Sequence, residues 1–386
     1  MGDIMNNYIE LNLIVDKDRN KKLHYNNEFL NNHKKDLDNF LDNNTEYNNI
    51  DFAKKVMMTQ ELKANNNIEG IIDNLESIEK VVNNKNNKKN LNERRRIINL
   101  YNGYKYILQN KNINKDNLRK LYSILSKDLL NEHDKANMGY YYRKKPVYII
   151  RKNRLDLEPY QGLPAEELDF YMNCFFDYTN TNITNRNEIE EFIKSQIMHY
   201  YFVYIHPYFD VNGRTSRTVS MWYLLNNKTY PYIIFNRAIS FAKTEYEESI
   251  VKCRNRADVT LFLKYMLIQV LKELEKEYII NNIKLNSGLN LKAEEEQILE
   301  YFININGNLT AKDLTKFYNY HNFKETPKKI YTEKILPLID NEILKIDGYT
   351  KSYIYNKNPN IWLKLNKKYI DIDKNKLKYL KLDKYI

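Results

Sequence analysis

The chain has 386 residues, 42% of them apolar and 13% aromatic, with a formal net charge of +11. That length allows two or three domains with real cores, and that apolar content excludes a disordered chain. The positive balance favours acidic partners, but Asn and Lys are so frequent throughout that the coding bias of an AT-rich genome accounts for it equally, and charge alone selects no partner.

The two cysteines, Cys174 and Cys253, form neither a metal spacing nor a disulfide framework, so a reducing, cytoplasmic setting is expected. No apolar run approaches the roughly 18 residues that span a membrane. The polar start is not a signal peptide, and Met1-Gly2 lacks the Ser/Thr of a myristoylation motif. Walker A, GxGxxG and HExxH patterns do not occur.

In chain order, residues 1–50 are Asn-rich with weak periodicity and are expected to form an N-terminal arm. Residues 51–285 read as a mostly helical domain. Within it, Asn83–Asn90 is a polar loop, and Arg94–Gln109 and Lys115–Leu130 carry helical spacing. Val147–Ile150 and Leu155–Leu157 flank Arg151-Lys152-Asn153-Arg154 as a short hairpin. Asn187 with Glu190 makes an N-cap and capping box ahead of Ile189, Ile193, Ile197, Tyr200, Tyr201 and Tyr204 at helical spacing. Pro207 disfavours helical geometry at His206, so that helix should stop there. A second helix, Arg214–Leu225, is opened by Asn212-Gly213 and places Val219, Trp222 and Leu225 on one side. Glu245–Leu274 reads as one or two closing helices, and Asn281–Asn290 as a polar joint. Beyond it, in residues 286–386, the pattern is three helices and a hairpin. The helices are Glu294–Ile303, one opened by the capping box Thr310-Ala311-Lys312-Asp313, and one opened by Thr326-Pro327. The hairpin is Ile343–Ile346 and Tyr353–Tyr355 around Asp347-Gly348. This order predicts a winged helix-turn-helix.

The most informative stretch is the loop between the two central helices, Ile205 to Arg217, which holds an imidazole, a carboxylate, an amide, a glycine and two arginines. A helix start carries unpaired N–H groups and partial positive charge. Arg214 and Arg217 on its first turn are therefore unfavourable by a few tenths of a kcal/mol each, roughly, unless an anion is supplied. A phosphate chain would reverse the sign of every term. Asp210 suits a hard cation such as Mg²⁺, which takes one or two carboxylates plus substrate phosphates. His206 is able to accept a proton from an attacking hydroxyl.

This stretch resembles the Fic family signature HxFx(D/E)GNGRxxR at His206, Asp210, Asn212, Gly213, Arg214 and Arg217. Fic proteins are mostly α-helical enzymes that transfer AMP from ATP to a Ser, Thr or Tyr hydroxyl of a protein. The resemblance implies a Fic-type helical bundle with His206 as base and Asp210 holding Mg²⁺. Asn212 and Gly213 would belong to the anion-binding loop, and Arg214 and Arg217 would hold the distal phosphates. Tyr208 stands where Phe is usual. Val211 stands where the first loop glycine is usual, and a β-branched residue there is strained if the site needs positive φ.

His199-Tyr200-Tyr201-Phe202 before the signature is similar to the family's approach helix. Gly139, Arg143, Val147 and Ile149 are similar to the segment leading into its flap, here near residues 144–158. By that likeness Val147, Tyr148 and Ile149 would take an extended target peptide by strand addition. Asn65 to Gly70 resembles the family's inhibitory motif (S/T)xxxE(G/N), with Asn65 in place of Ser/Thr, Glu69 as the acid and Gly70 after it, on a helix near residues 60–70. The resemblance implies that Glu69 pairs with Arg217 and blocks the γ-phosphate, and in some relatives the same Glu serves AMP removal.

The expected protein is thus a self-inhibited protein adenylyltransferase. Its partners are ATP, Mg²⁺ and a protein substrate that can be the chain itself, with homodimerisation open and no membrane. Two alternatives stay open: a Fic transferase using another donor, and a DNA-binding regulator with a degenerate or sensing Fic domain. Lys328, Lys329 and Lys334 on the third C-terminal helix could meet phosphates, yet no arginine occurs from Ser287 to Ile386. Arginine makes the commonest specific base contact, so docking or dimerisation is favoured over DNA reading for that domain.

Overall fold

A computed structural model describes residues 7–31, 33–34, 49–71, 78, 80–81, 91–149, 160–183, 187–304, 309–321, 325–354, 358–366 and 368. It is mostly helical with few strands, as the periodicities predict. The chain divides into two compact units, residues 1–71 with 75–269, and residues 72–74 with 270–386. The polar joint expected at Asn281–Asn290 is largely helical instead. Ile279, Ile280 and Ile283 are buried, and they carry the helix Thr260–Ser287 on to Gly288, which turns at φ +67°.

In the first unit the N-terminal segment forms a hairpin rather than an arm. Strand β1 (Tyr8–Asp16) pairs antiparallel with β2 (Lys21–Asn26). Leu11, Leu13, Leu23 and Tyr25 are buried at alternate positions, as the two-residue strand period requires. Asn and Lys at the outward positions dilute this alternation in the sequence. The hairpin is held by long-range bonds. Tyr201 and Tyr204 hydroxyls donate to the carbonyls of Ile14 (2.6 Å) and Val15 (2.5 Å). His24 exchanges backbone hydrogen bonds of 2.9 Å with Ala257 and Val259.

Helix α1 (Ile50–Val56) is N-capped by Asn49 and runs through a π-turn, Met57–Glu61, into α2 (Leu62–Ile68). Glu69 ends α2. Gly70 at φ +81° donates to Asn67 O (2.9 Å) while Ile71 donates to Asn66 O (3.0 Å), the paired bonds of a Schellman stop. Helices α3 (Leu91–Gln109), α4 (Lys115–Leu125) and α5 (Glu132–Asn137) follow. Strands β3 (Tyr148–Ile149) and β4 (Tyr160–Gln161) then pair antiparallel. Helix α6 (Leu168–Asn180) leads to the central pair, α7 (Glu188–Ile205) and α8 (Asn212–Asn226). Asn187 caps α7 by accepting from Glu190 N at 2.9 Å. Buried residues occur on every side of α7, the mark of a helix enclosed by its neighbours. Helices α9 (Phe235–Ser240), α10 (Lys243–Arg254) and the first part of α11 (Thr260–Ser287) complete the unit.

The second unit contains α12 (Ala293–Asn304), β5 (Leu309–Thr310), α13 (Ala311–His321), α14 (Pro327–Ile330) and α15 (Leu336–Asp340). A sheet of order β5-β7-β6 adds β6 (Leu344–Ile354) and β7 (Asn358–Leu365). Thr310 and Asp313 make the expected reciprocal cap, with Asp313 N donating to Thr310 Oγ1 at 3.1 Å. The turn expected at Asp347-Gly348 is not a turn. Strand β6 continues through it with a register shift between Ile346 and Gly348, and its partner is β7. A glycine inside a strand often marks such a bulge rather than a reversal.

Candidate functional site

All the site residues expected from the sequence lie in the first unit. Helix α7 ends at Ile205, and His206 caps it in the left-handed region at φ 54°, ψ 60°. Pro207 accounts for the stop, since it disfavours helical geometry for the residue before it. Nδ1 of His206 lies 3.3 Å from Val203 O, so the proton belongs on Nδ1 and Nε2 is left as an acceptor. Burial pushes the imidazole down to about 4, with the Arg143 and Arg254 charges acting in the same direction, so the ring is neutral through the physiological range.

The loop that follows is fixed by its own side chains. Asn212 Oδ1 accepts from Tyr208 N (3.1 Å) and its Nδ2 donates to Tyr208 O (2.8 Å). The Asn212 side chain therefore ties the loop together, and only its backbone remains for an anion. Val211 is the residue that precedes α8, and it adopts φ 67°, ψ 9°. The loop thus demands a left-handed residue at this position, and Val supplies it at a conformational cost of about 1–2 kcal/mol. Tyr208 is buried and stacks on Tyr122 with centroids 3.5 Å apart, while its hydroxyl finds no partner.

Asp210 is 46% exposed at its side chain, accepts from Val211 N at 2.7 Å, and faces Arg96 Nη2 at 3.5 Å. Arg96, on α3, was not among the residues singled out from the sequence. Arg214 and Arg217 are both buried, on the first and second turns of α8, and converge on one carboxylate. Arg217 Nη2 donates to Glu69 Oε1 at 2.5 Å, and Arg214 Nη2 lies 3.7 Å from Glu69 Oε2. Burial raises the Glu69 carboxyl, but the two guanidiniums outweigh it and bring it to about 2. Arg217 Nε also donates to Asn65 Oδ1 at 2.9 Å, and Asn65 Nδ2 donates to Tyr104 Oη at 3.0 Å. Arg214 keeps Nε and Nη1 buried without a hydrogen-bond partner. A Cβ on Gly213 would meet Glu69 Oε1 at 3.0 Å and Arg217 Nη1 at 3.2 Å, which is why a glycine fits there.

Beneath Arg217, the Tyr246 hydroxyl lies 2.8 Å from His199 Nε2, and His199 Nδ1 lies 3.2 Å from Gln196 Oε1. Both rings are buried. The foot of the Glu69 helix is held by Glu61, fully buried, whose carboxyl oxygens accept from Asn236 N (3.0 Å) and Arg237 N (2.9 Å) at the start of α9, while burial raises the carboxyl to about 8.

Near the base, Val147, Tyr148 and Ile149 enter the short β3–β4 hairpin, with Tyr148 62% exposed. The described partner strand is Tyr160–Gln161; the expected strand Leu155–Leu157 and its turn lie outside the described residues. So does the expected loop Asn83–Asn90. A Cβ on Gly162 would clash with Val147 Cγ1 at 2.8 Å and come within 3.7 Å of His206 Cβ, so the hairpin root passes close to the base of the His206 side chain.

Fold and loop together define a helical domain in which a neutral imidazole and two buried arginines sit on one helix–loop–helix. Residues 112–224 match the model of the Fic/DOC family, and the chain carries a Fic/DOC family domain. Among solved structures, a Fic family protein from Desulfovibrio desulfuricans G20 superposes with a TM-score of 0.55 at 17% identity, over 88% of this chain and 96% of that one. Fic-1 from C. elegans gives 0.48 at 17% identity over 65% and 73%, respectively. A Fic domain containing signaling protein from Bacteroides thetaiotaomicron VPI-5482 gives 0.44 at 16% identity over 63% and 88%. The family is known for AMPylation and related transfers. No helix among the described residues is long and apolar enough to cross a membrane.

Proposed function

We propose that the chain is a self-inhibited protein adenylyltransferase. The observation that carries this reading is the convergence of two buried arginines on Glu69, one of them still holding unpartnered N–H donors. A buried guanidinium without partners is costly, and a polyphosphate is an anion that would satisfy both. Mg²⁺ fits the one carboxylate on the loop: Asp210 is half exposed, and no group of three or more His, Cys, Asp or Glu side chains among the described residues offers an all-protein cage. That is the pattern of a cation shared with substrate phosphates, where it would neutralise charge on the leaving group.

His206 Nε2 takes the proton of the target hydroxyl. The hydroxyl oxygen attacks the α-phosphorus of ATP, one P–O bond forms, and the bond to the bridging oxygen breaks. Pyrophosphate leaves, with Arg214 and Arg217 as its counter-charges. Glu69 prevents this by occupying Arg217 at Nη2 while Asn65 occupies Nε, so the Asn that replaces Ser/Thr supports the brake. Whether Glu69 also serves AMP removal follows the same geometry, since its carboxylate lies beside the phosphate arginines.

For the second unit we propose a winged-helix module for docking or dimerisation. Its three-helix run and β5-β7-β6 sheet support this. Of the lysines on its third helix, Lys334 is buried beside Glu325 and Lys329 pairs with the same Glu325 (3.6 Å), which leaves the exposed Lys328 as the one turned wholly to solvent.

The test is intact mass after incubation with ATP and Mg²⁺ of wild type, Glu69→Gly and Glu69→Gly/His206→Ala. An added AMP in Glu69→Gly alone supports donor, base and brake together. No adduct in any variant moves the reading to another donor, which a nucleotide panel identifies, or to the regulator.

A further inference from the structure

Arg143 is a buried arginine outside the proposed phosphate site, at 2% exposure, and the reaction as proposed makes no use of it. Its guanidinium meets main-chain carbonyls on three segments. Nε donates to His206 O at 2.9 Å, Nη1 to Lys145 O at 2.8 Å, and Nη2 to Leu163 O at 2.6 Å. Its own backbone N–H donates to Pro207 O at 3.0 Å. Lys145 precedes β3 and Leu163 follows β4, so one planar fork joins both roots of the hairpin to the carbonyl of the candidate base. Gly162 provides the clearance: a Cβ there would stand 3.0 Å from Arg143 Nη2. From the other side, Arg254 on α10 donates to Gln161 O at 3.1 Å and lies over the Tyr204 ring at 5.1 Å.

A buried arginine whose hydrogen bonds go to main-chain carbonyls, with only the Glu166 charge acting in its favour, is an expensive way to fill space. What it supplies is geometry. His206 sits in the left-handed region, which costs a non-glycine residue about 1–2 kcal/mol. A charged hydrogen bond to its carbonyl is worth about as much, enough to hold the corner. We propose that Arg143 is a positioning residue that makes the hairpin root and the His206–Pro207 corner one rigid body, so that a target strand laid on β3 is registered against the base. This rests on the adenylyltransferase reading for its consequence, but not for its geometry. The charges acting on the imidazole are Arg143 and Arg254, both cations.

The test uses the full chain in the Glu69→Gly background with Arg143→Lys, which keeps charge, and Arg143→Met, which keeps volume. Three readouts are taken: hydrogen exchange at the His206 and Gly162 amides, affinity for a fluorescent ATP analogue, and the rate of self-adenylylation. Both variants are expected to speed exchange at those two amides at least tenfold, leave nucleotide affinity within about twofold, and slow transfer 10- to 100-fold. Arg143→Met is also expected to raise the pH at which His206 titrates, followed by NMR, while Arg143→Lys is not. Exchange and transfer unchanged in folded Arg143→Lys overturn the proposal, as does a parallel loss of nucleotide affinity, which would mark general damage. If Arg143→Met does not fold, Arg143→Lys alone decides. If the Glu69→Gly parent itself transfers nothing, the functional reading fails, and the exchange data still decide the positioning.

Discussion

Replacing Glu69 by Gln tests the central contact most directly, because it removes the charge and keeps the shape. The carboxyl is held at about 2 against an ordinary value of 4.5. At about 1.4 kcal/mol per pH unit this depression is worth about 3 kcal/mol. Some of the carboxylate faces solvent (29% of the side chain), so the lower half of any range is the better expectation. Without nucleotide, Glu69→Gln leaves two buried guanidiniums facing a neutral amide, and the melting temperature should fall by about 5 °C or more, at ~2–4 °C per kcal/mol for a domain of this size. With Mg²⁺-ATP the sign reverses. On the proposed reading wild type gives up the ion pair to bind phosphate, whereas the variant need not, so its nucleotide affinity should rise by about 10- to 100-fold. Thermal melts of both proteins across an ATP titration measure the two effects together. A variant that melts like wild type without nucleotide, or binds ATP no more tightly, refutes the idea that Glu69 competes with the phosphates.

Three further outcomes follow from the same geometry. Val211→Gly relieves about 1–2 kcal/mol of left-handed strain but uncovers a buried side chain of similar worth. Urea denaturation should show a net change within about 1 kcal/mol, and a loss of 3 kcal/mol would mean the strain is not there. Tyr208→Phe deletes a buried hydroxyl with no partner, so it should be neutral or stabilising by up to about 1 kcal/mol in the same assay; clear destabilisation would reveal a bond the structure lacks. His206 and His199 are held neutral, at about 4 and about 3, mainly by burial. Their folded values lie below the unfolded value of 6.5, so the stability they contribute is complete above pH 6.5 and declines as pH falls toward 4. The Glu69 contribution begins to fail only below 4.5. Glu61 acts in the opposite sense: burial raises its carboxyl to about 8, so proton uptake there stabilises the fold as pH falls from 8 toward 4.5. In a Glu61→Gln background stability should therefore decline from pH 6.5 to 4.5, and a flat profile over that range would contradict the histidine contribution.

Much of this was legible in the sequence, for reasons that differ by residue. His206, Asp210, Arg214 and Arg217 lie within twelve residues of one another, so local spacing carried them. The stop at His206 was legible because Pro207 acts on its immediate neighbour. Glu69 was reachable only through family likeness, since 148 residues separate it from Arg217. The structural role of the Asn212 side chain was not legible, because an amide before a glycine reads equally as a helix opener. Arg96 and the Glu61 cap of α9 rest on contacts between helices far apart in sequence, and a run of charges at a helix start carries no signal for them. The bulge at Gly348 was misread because Asp-Gly is the ordinary signature of a hairpin turn. Only the position of β7 reveals that the strand continues.

The N-terminal hairpin has a consequence for how the chain is made. Its backbone is completed by residues 257–260, with Asn26 N donating to Thr260 Oγ1 across 234 positions. At roughly 5–20 residues per second of synthesis, the hairpin waits on the order of ten to fifty seconds for its partners. The contacts of the hairpin with Tyr171, Tyr201 and Tyr204 can form earlier in that interval, but its closing backbone bonds cannot. The hairpin is thus made well before its last partners, and this delay is when a nascent chain of this design is most exposed to chaperones or to aggregation.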